Sequence, residues 1–242
     1  MATNQFGLSR HIPENIKRDV RVRCGFGCAV CGVTITEYEH FYPDFAEATA
    51  HVADNIVLLC PTHHGLVTKG VLPKDQIAAA SRSPAAKQSG YSRLSHPWFT
   101  GIPSLKIGGG GLIQGTPIPI QVGGENLLQF DPPEEGSNIA LISASLRDST
   151  GSQFLRIVKN EWQVVNGKWD FQFIGKRYIF KDALSAPMLI MRMEAPNFIA
   201  IELLKTSING MPIHITEEKM MIGTNTFVGN GISNCRVGFS IG

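Results

Sequence analysis

No apolar run in this sequence is long enough to span a bilayer, and the opening residues, MATNQFGLSRHIPENIKRD, lack the apolar core of a signal peptide. A membrane partner is therefore not expected, and the chain is expected to be cytoplasmic. Net charge is scarce too. With 22 Lys and Arg against 20 Asp and Glu, the chain shows no global electrostatic footprint for a polyanion. Charged residues make up only 17%, while hydrophobic residues reach 43%, a balance that excludes a disordered class. Cysteine is rare and odd in number: Cys24, Cys28, Cys31, Cys60 and Cys235. Four of these cluster with histidines, which fits metal binding under reducing conditions better than a disulfide framework. No internal period is evident, so a β-solenoid is only the minor alternative for the second half. The glycines at 108–111 are followed by neither Gly-Lys-Ser/Thr nor a helix pattern. They read as flexible backbone entering a strand, not as a phosphate-cradling loop.

What is present is concentrated in residues 24–70. Cys28 and Cys31 form a C-x-x-C pair, and Cys60 and His63 a C-x-x-H pair with His64 directly after it. Two such pairs supply the thiolates and imidazole of a closed tetrahedral zinc site, each pair on a tight knuckle. His63 and His64 compete for the fourth position. The spacing that mirrors Cys28–Cys31 assigns His63 to structural zinc and leaves His64 for a cleft. Cys24 lies outside the paired spacing and reads as a packing residue. Between the pairs stand Glu39, His40, Pro43, His51, Asp54 and Asn55.

This arrangement resembles the HNH endonuclease family, the ββα-metal nucleases. The matching elements are C-x-x-C, an acid-His-x-x-Pro segment (Glu39, His40, Pro43), Asn55 before the run Ile56-Val57-Leu58-Leu59, and the closing Cys-Pro-x-His-His. The resemblance covers residues 14–80, about a third of the chain. It implies a ββα-metal domain with structural zinc at Cys28, Cys31, Cys60 and His63. It further implies His40 as general base, and a catalytic Mg2+ or Mn2+ held by Glu39 and His64. Asn55 would pin the loop or help hold the metal. His40 needs a neighbour to hold one tautomer, most often a backbone carbonyl. His51, polar and near Asn55, is left unassigned, with a supporting contact favoured over a direct ligand role. Two departures stand out: Glu39 replaces the frequent Asp, with longer reach, and His63 replaces a common Cys, which zinc accepts.

Around this core, residues 13–24 read as a helix, with Pro13 in its first turn and Ile12, Ile16 and Val20 recurring at i+4. Arg10, Lys17, Arg18, Arg21 and Arg23 form a basic cluster that is either a phosphate-facing patch or a solvated helix face. Residues 33–41 and 55–59 read as strands, 61–69 as a helix and 74–80 as another. The expected domains are an HNH-like domain over 1–82, a linker over 83–104 and an all-β accessory domain over 105–242. Trp98 and Phe99, within the linker, are expected to dock on a domain. Beyond 105, apolar residues alternate: Phe171 and Phe173; Leu189, Met191 and Met193; Ile199, Ile201 and Leu203. Turn signals stand at 148–151, Asn166-Gly167 and Asn209-Gly210. Pro117 and Pro119 place their strand at a sheet edge. Trp162 and Trp169 read as core residues in preference to a ligand surface. The pattern predicts eight to ten short strands in a β-sandwich or jelly-roll, and an α+β chain overall.

The function expected is a DNA endonuclease, a hydrolase acting on phosphodiester bonds, in an architecture that resembles restriction-like or phage-defence effectors. The β domain would recruit a second copy or a protein partner. Two alternatives stay open. One is a zinc-containing nucleic-acid-binding protein without turnover, and the other is a protein whose β domain binds a small molecule, peptide or glycan as its main task.

Overall fold

The computed structural model describes residues 3–93, 99, 101–137, 139–164, 169–194 and 196–242. The chain is α+β and divides into two compact units, Met1–Ser95 and His96–Gly242. Among the described residues the α-helices belong to the first unit. Among these described residues no helix is long and apolar enough to cross a membrane.

The first unit is ordered α1 (Glu14–Arg23), β1 (Glu37–His40), β2 (Ile56–Leu59), α2 (Pro61–Thr68), α3 (Lys74–Arg82), α4 (Ala85–Ser89) and β3 (Ser92–Arg93). Pro13 caps α1, Glu14 lies in its first turn and Arg21 and Arg23 in its last, so the charges complement the helix dipole. Antiparallel β1 and β2 pair Glu39 with Val57 and His40 with Ile56. All four residues of β2 are buried, as expected of an uninterrupted apolar strand covered on both faces. Val20 of α1, Val67 of α2 and Ile77 of α3 complete its core. Burying each such side chain contributes about 1.5–3 kcal/mol.

Part of the expected linker is folded into this unit. The backbone amide of Ala85 donates to the Ala29 carbonyl, that of Arg93 to Gly32, and the Ser92 hydroxyl to Gly25. Backbone hydrogen bonds, not a hydrophobic period, organise this segment, so periodicity could not reveal it. The strand expected over 33–41 is confined to Glu37–His40.

The second unit contains β4 (Ser104–Ile107), β5 (Gly111–Gln114), β6 (Ile118–Val122), β7 (Glu125–Asp131), β8 (Leu141–Arg147) and β9 (Gln153–Val158). There follow β10 (Glu161–Val164), β11 (Asp170–Ile174), β12 (Arg177–Lys181), β13 (Pro187–Glu194) and β14 (Phe198–Ile208). The last strands are β15 (Met211–Ile215), β16 (Met220–Ile222), β17 (Asn225–Phe227), β18 (Gly231–Ser233) and β19 (Val237–Ile241). Sixteen strands therefore stand among its described residues where eight to ten were expected. The excess is in three- to five-residue strands too short to show a period.

One sheet runs β19-β6-β7-β8-β9-β10, and a ten-stranded sheet is built on the order β11 to β17 with β4, β5 and β18 attached. The sheets share an apolar interior: Leu128, Ile142 and Leu146 from the first meet Leu189, Met191 and Leu204 from the second around a small cavity. Trp162 stacks on Phe180 at 5.3 Å and Trp169 on Phe154 at 4.5 Å, so both are core residues. Phe99 is buried; Trp98 and the Asn166-Gly167 turn lie outside the described residues.

Three local expectations are corrected. The alternation through Ile199, Ile201 and Leu203 breaks because the register with β13 shifts between Ile190 and Met191; Leu204, not Leu203, is buried. β6 is no edge strand, since β19 pairs with it in parallel. Pro119 is tolerated there because both registers skip it, pairing Ile118 and Ile120 with β19 and Ile120 with β7. The glycines at 108–111 form the turn between β4 and β5, not a flexible entry. Asn209 and Gly210, both at positive φ (50° and 78°), close the β14–β15 hairpin as their sequence predicts.

Candidate metal centre and the adjoining cavity

Two knuckles bring four ligands together. The first is the turn at 27–33, where the Gly32 amide donates to the Cys28 carbonyl and the Cys28 amide to Val33. A Cβ on Gly27 would stand 2.6 Å from the Gly32 carbonyl oxygen, so only glycine closes this turn. The second is the start of α2, where Pro61 holds the first helical position after Cys60. The Cys31 and Cys60 sulfurs are 3.8 Å apart, and His63 Nδ1 is 3.1 Å from Cys60 Sγ and 3.5 Å from Cys28 Sγ. The ligand atoms of Cys28, Cys31, Cys60 and His63 all lie within 4.8 Å of one another. Zinc bonds of about 2.3 Å to sulfur and 2.0–2.1 Å to nitrogen make a tetrahedron with edges of about 3.7 Å (S–S) and 3.5 Å (S–N). The donor set and its spacing therefore fit a zinc ion. The Cys31 thiol beside Cys28 draws the Cys28 thiol down to about 5 and is itself raised by the same bond. Cys24 is a core residue: burial pushes its thiol up, and its sulfur accepts from the Leu58 amide.

His63 and His64 are neighbours on a helix, so about 100° separates their side chains. While His63 joins the cluster, His64 meets β1: its Nε2 is 2.9 Å from Glu39 Oε2 and its Nδ1 3.2 Å from Glu37 Oε2. Strand alternation puts Glu37 and Glu39 on one face, and His64 lies between them. Burial raises the Glu39 carboxyl above its ordinary value, opposed by the charge of His64.

Glu39, His40 and His64 line one cavity of about 220 Å3 with Arg10, Ile12, Tyr38, Asp44 and Phe45. The Arg10 guanidinium sits 4.7 Å over the Phe45 ring. His40 is 8% exposed, and burial, then the neighbouring His51, lowers its imidazole to about 4. His40 Nε2 is 3.0 Å from His51 Nδ1, and His51 Nε2 is 2.9 Å from the Ser9 carbonyl oxygen. The neighbour expected to be a carbonyl is thus a second histidine, with the carbonyl one step further out.

Asn55 is not among the residues lining this cavity. Its carbonyl accepts from the Phe41 amide just behind His40, a backbone role that pins the loop and that any residue could fill. The basic cluster also divides. Arg21 is buried and bonds Glu14 and Tyr38, so it serves no phosphate-facing patch, whereas Arg23 bonds Ser81 and the carbonyls of Ala53 and Ile56 at the edge of a second, wider groove. Arg10 alone of the five lines the cavity. Sequence reasoning missed Glu37, although its i, i+2 spacing to Glu39 on a strand is the signal that could have found it. A wider groove of about 710 Å3 on the same unit carries Arg82 and Lys87 with Asp54, but no carboxylate–imidazole pair. Comparison of the chain with family models, with curated proteins and with solved structures gives no match.

Proposed function

We propose that the chain is a metal-dependent endonuclease of the HNH, or ββα-metal, type that hydrolyses phosphodiester bonds of DNA. The observation that carries this reading is the convergence of Glu39, His40 and His64 on one cavity while the adjacent His63 joins the cysteine cluster. Strand β1 supplies Glu39 and His40 and helix α2 supplies His64, in the order the resemblance implies. Zinc at the cluster is structural on this reading.

Glu39 and His64 would hold a divalent ion, Mg2+ or Mn2+. Their facing donor atoms are 2.9 Å apart, close to the edge of about 3.0 Å that 2.1 Å bonds give an octahedron. Such an ion, when bound, supplies positive charge against the phosphate and stabilises the leaving oxygen. Glu37, on the other ring nitrogen of His64, orients that imidazole as a carboxylate behind a ligating histidine does. His40 takes the proton from water. Burial keeps its ring neutral at physiological pH, and an anionic phosphate entering the cavity raises its proton affinity toward the useful range. Arg10, anchored on Phe45, offers a cation to a non-bridging oxygen. Arg82 and Lys87 add positive charge for a polyanion on the same unit.

Supercoiled plasmid incubated with the zinc-loaded chain should be nicked with Mg2+ or Mn2+ and left intact with EDTA. His40→Ala should lose at least about 100-fold of that activity while zinc content and folding persist. Absence of nicking with any divalent ion sinks the enzyme; full nicking by His40→Ala sinks the base.

A second reading makes the β unit the binding part. It is favoured by a cavity of about 500 Å3 lined by Asp148, Thr150, Gln153 and Asp182, a mixture of carboxylates, hydroxyl and amide suited to a hydroxyl-rich ligand. Saccharide titrations that leave the melting of the full chain unmoved would remove it.

A further inference from the structure

The ring nitrogens running from His40 to Ser9 decide a question the cavity alone leaves open: which nitrogen of His40 carries its proton. A carbonyl oxygen can only accept, so His51 Nε2, 2.9 Å from the Ser9 oxygen, must be the N–H of that pair. The opposite tautomer would set a lone pair against a lone pair at hydrogen-bond distance. With its proton on Nε2, a neutral His51 has a bare Nδ1. That lone pair faces His40 Nε2 at 3.0 Å, and His40 must donate to it. The proton of His40 is thereby on Nε2 and its lone pair on Nδ1.

We propose that His51 is a positioning residue that fixes the tautomer of His40 through this His–His–carbonyl relay. The geometry stands by itself; the catalytic consequence rests on the nuclease reading, in which His40 Nδ1 is the atom that receives the proton of water.

The relay is built to hold its orientation. The Phe45 ring lies nearly parallel to His51, at 15° with centroids 6.4 Å apart, and meets His40 edge-on at 5.5 Å. Its outer end is tied down as well. Ser9 is bridged to Thr3, and Asn4 between them accepts from the Phe6 and Leu8 amides through Oδ1. Asn4 Nδ2 donates to the carbonyls of Phe45 and Ala48, fastening the 3–9 turn to the loop that carries Phe45. The N-terminal turn thus belongs to the site, although it supplies only one carbonyl oxygen. Removing the outer partner of a metal-ligating imidazole typically costs 10- to 100-fold, and a loss on that scale is expected for His40 because the wrong tautomer and ring rotations become populated.

The test uses the full zinc-loaded chain with 15N-labelled histidine, His40 being assigned by its loss in His40→Gln. The wild type should show His40 protonated on Nε2. His51→Leu should lose that pattern and lower kcat for a phosphodiester roughly 10- to 100-fold with KM unchanged. His51→Asn, whose Oδ1 can accept where Nδ1 did, should restore the tautomer and most of kcat. Wild-type His40 carrying its proton on Nδ1, or a His51→Leu chain with unaltered tautomer and kcat, overturns the relay. A wild type with the expected tautomer and no hydrolysis overturns the nuclease reading and leaves the relay standing.

Discussion

The two units solve the problem of staying folded in different ways. The β unit fills its interior with large rings, among them Phe130, Phe154, Trp162 and Phe180, all nearly inaccessible to solvent. The first unit buries only Phe26 and Phe41 among its aromatics and closes its loops on the cluster of Cys28, Cys31, Cys60 and His63. The first unit, with its smaller core, leaves a carboxylate pair and several imidazoles half-buried on β1, α2 and the loop between the strands, beside a cluster able to take a metal ion. A sheet packed to native density has less room for unpaired polar groups. Chemistry and packing are therefore segregated along the chain.

The comparison predicts unequal responses to damage. The largest effect is expected from removing zinc, by Cys60→Ser or by a strong chelator. Structural zinc supplies about 10–16 kcal/mol of folding free energy in small modules, so the first unit should unfold. Calorimetry should then show the β unit's transition surviving alone; an unaltered profile would mean that the apolar core around β2 suffices. Next comes Trp162→Ala, expected to cost the β unit about 3–5 kcal/mol through the cavity it leaves. Divalent-dependent nicking should persist in that variant below its lowered melting temperature, and its loss would show that the β unit shapes the site.

A smaller effect separates the units by pH. The folded His40 value, about 4, lies below the ordinary 6.5. The stability this gives is present above about pH 6.5 and is lost as pH falls toward about 4, since the unfolded chain takes up a proton that the buried ring refuses. The stability advantage of the wild type over His40→Gln should shrink by up to about 3 kcal/mol across that window. Urea titrations at several pH values would measure it, and a constant difference would mean that His40 is not buried in solution. The smallest effect is expected from Gly210→Ala, which forces a side chain into a left-handed turn at φ 78° and should cost the β unit about 1 kcal/mol. A melting temperature equal to wild type would mean that the hairpin tolerates another turn type.

Features carried by neighbours in the chain were legible in advance. The C-x-x-C and C-x-x-H spacings located the cluster, Asn209-Gly210 its hairpin turn, and the run Ile56–Leu59 the central strand of the first unit. The cavity was half legible. Glu39, His40 and His64 do line it, but Glu37 and Asp44 went unnoticed, and Asn55 serves through its backbone. For Arg21 and Arg23 a phosphate-facing patch and a solvated helix face both stood open, because charge pattern does not report that Tyr38 and Ser81, 17 and 58 residues further along the chain, receive them. The bulge between β13 and β14 and the parallel pairing of β6 with β19 were equally hidden, because strand register is settled by partners far along the chain.

By itself the sequence determined where a metal could be gripped, which chemistry could stand beside it, and where helical periodicity gives way to alternation, since ligand spacing, turn residues and hydrophobic period act over a few residues. Only the tertiary structure decided that His40 leans on His51 and His51 on Ser9, and that α2 turns its two histidines to different tasks. Those contacts join positions up to 42 residues apart, and they exist only once the chain has folded around them.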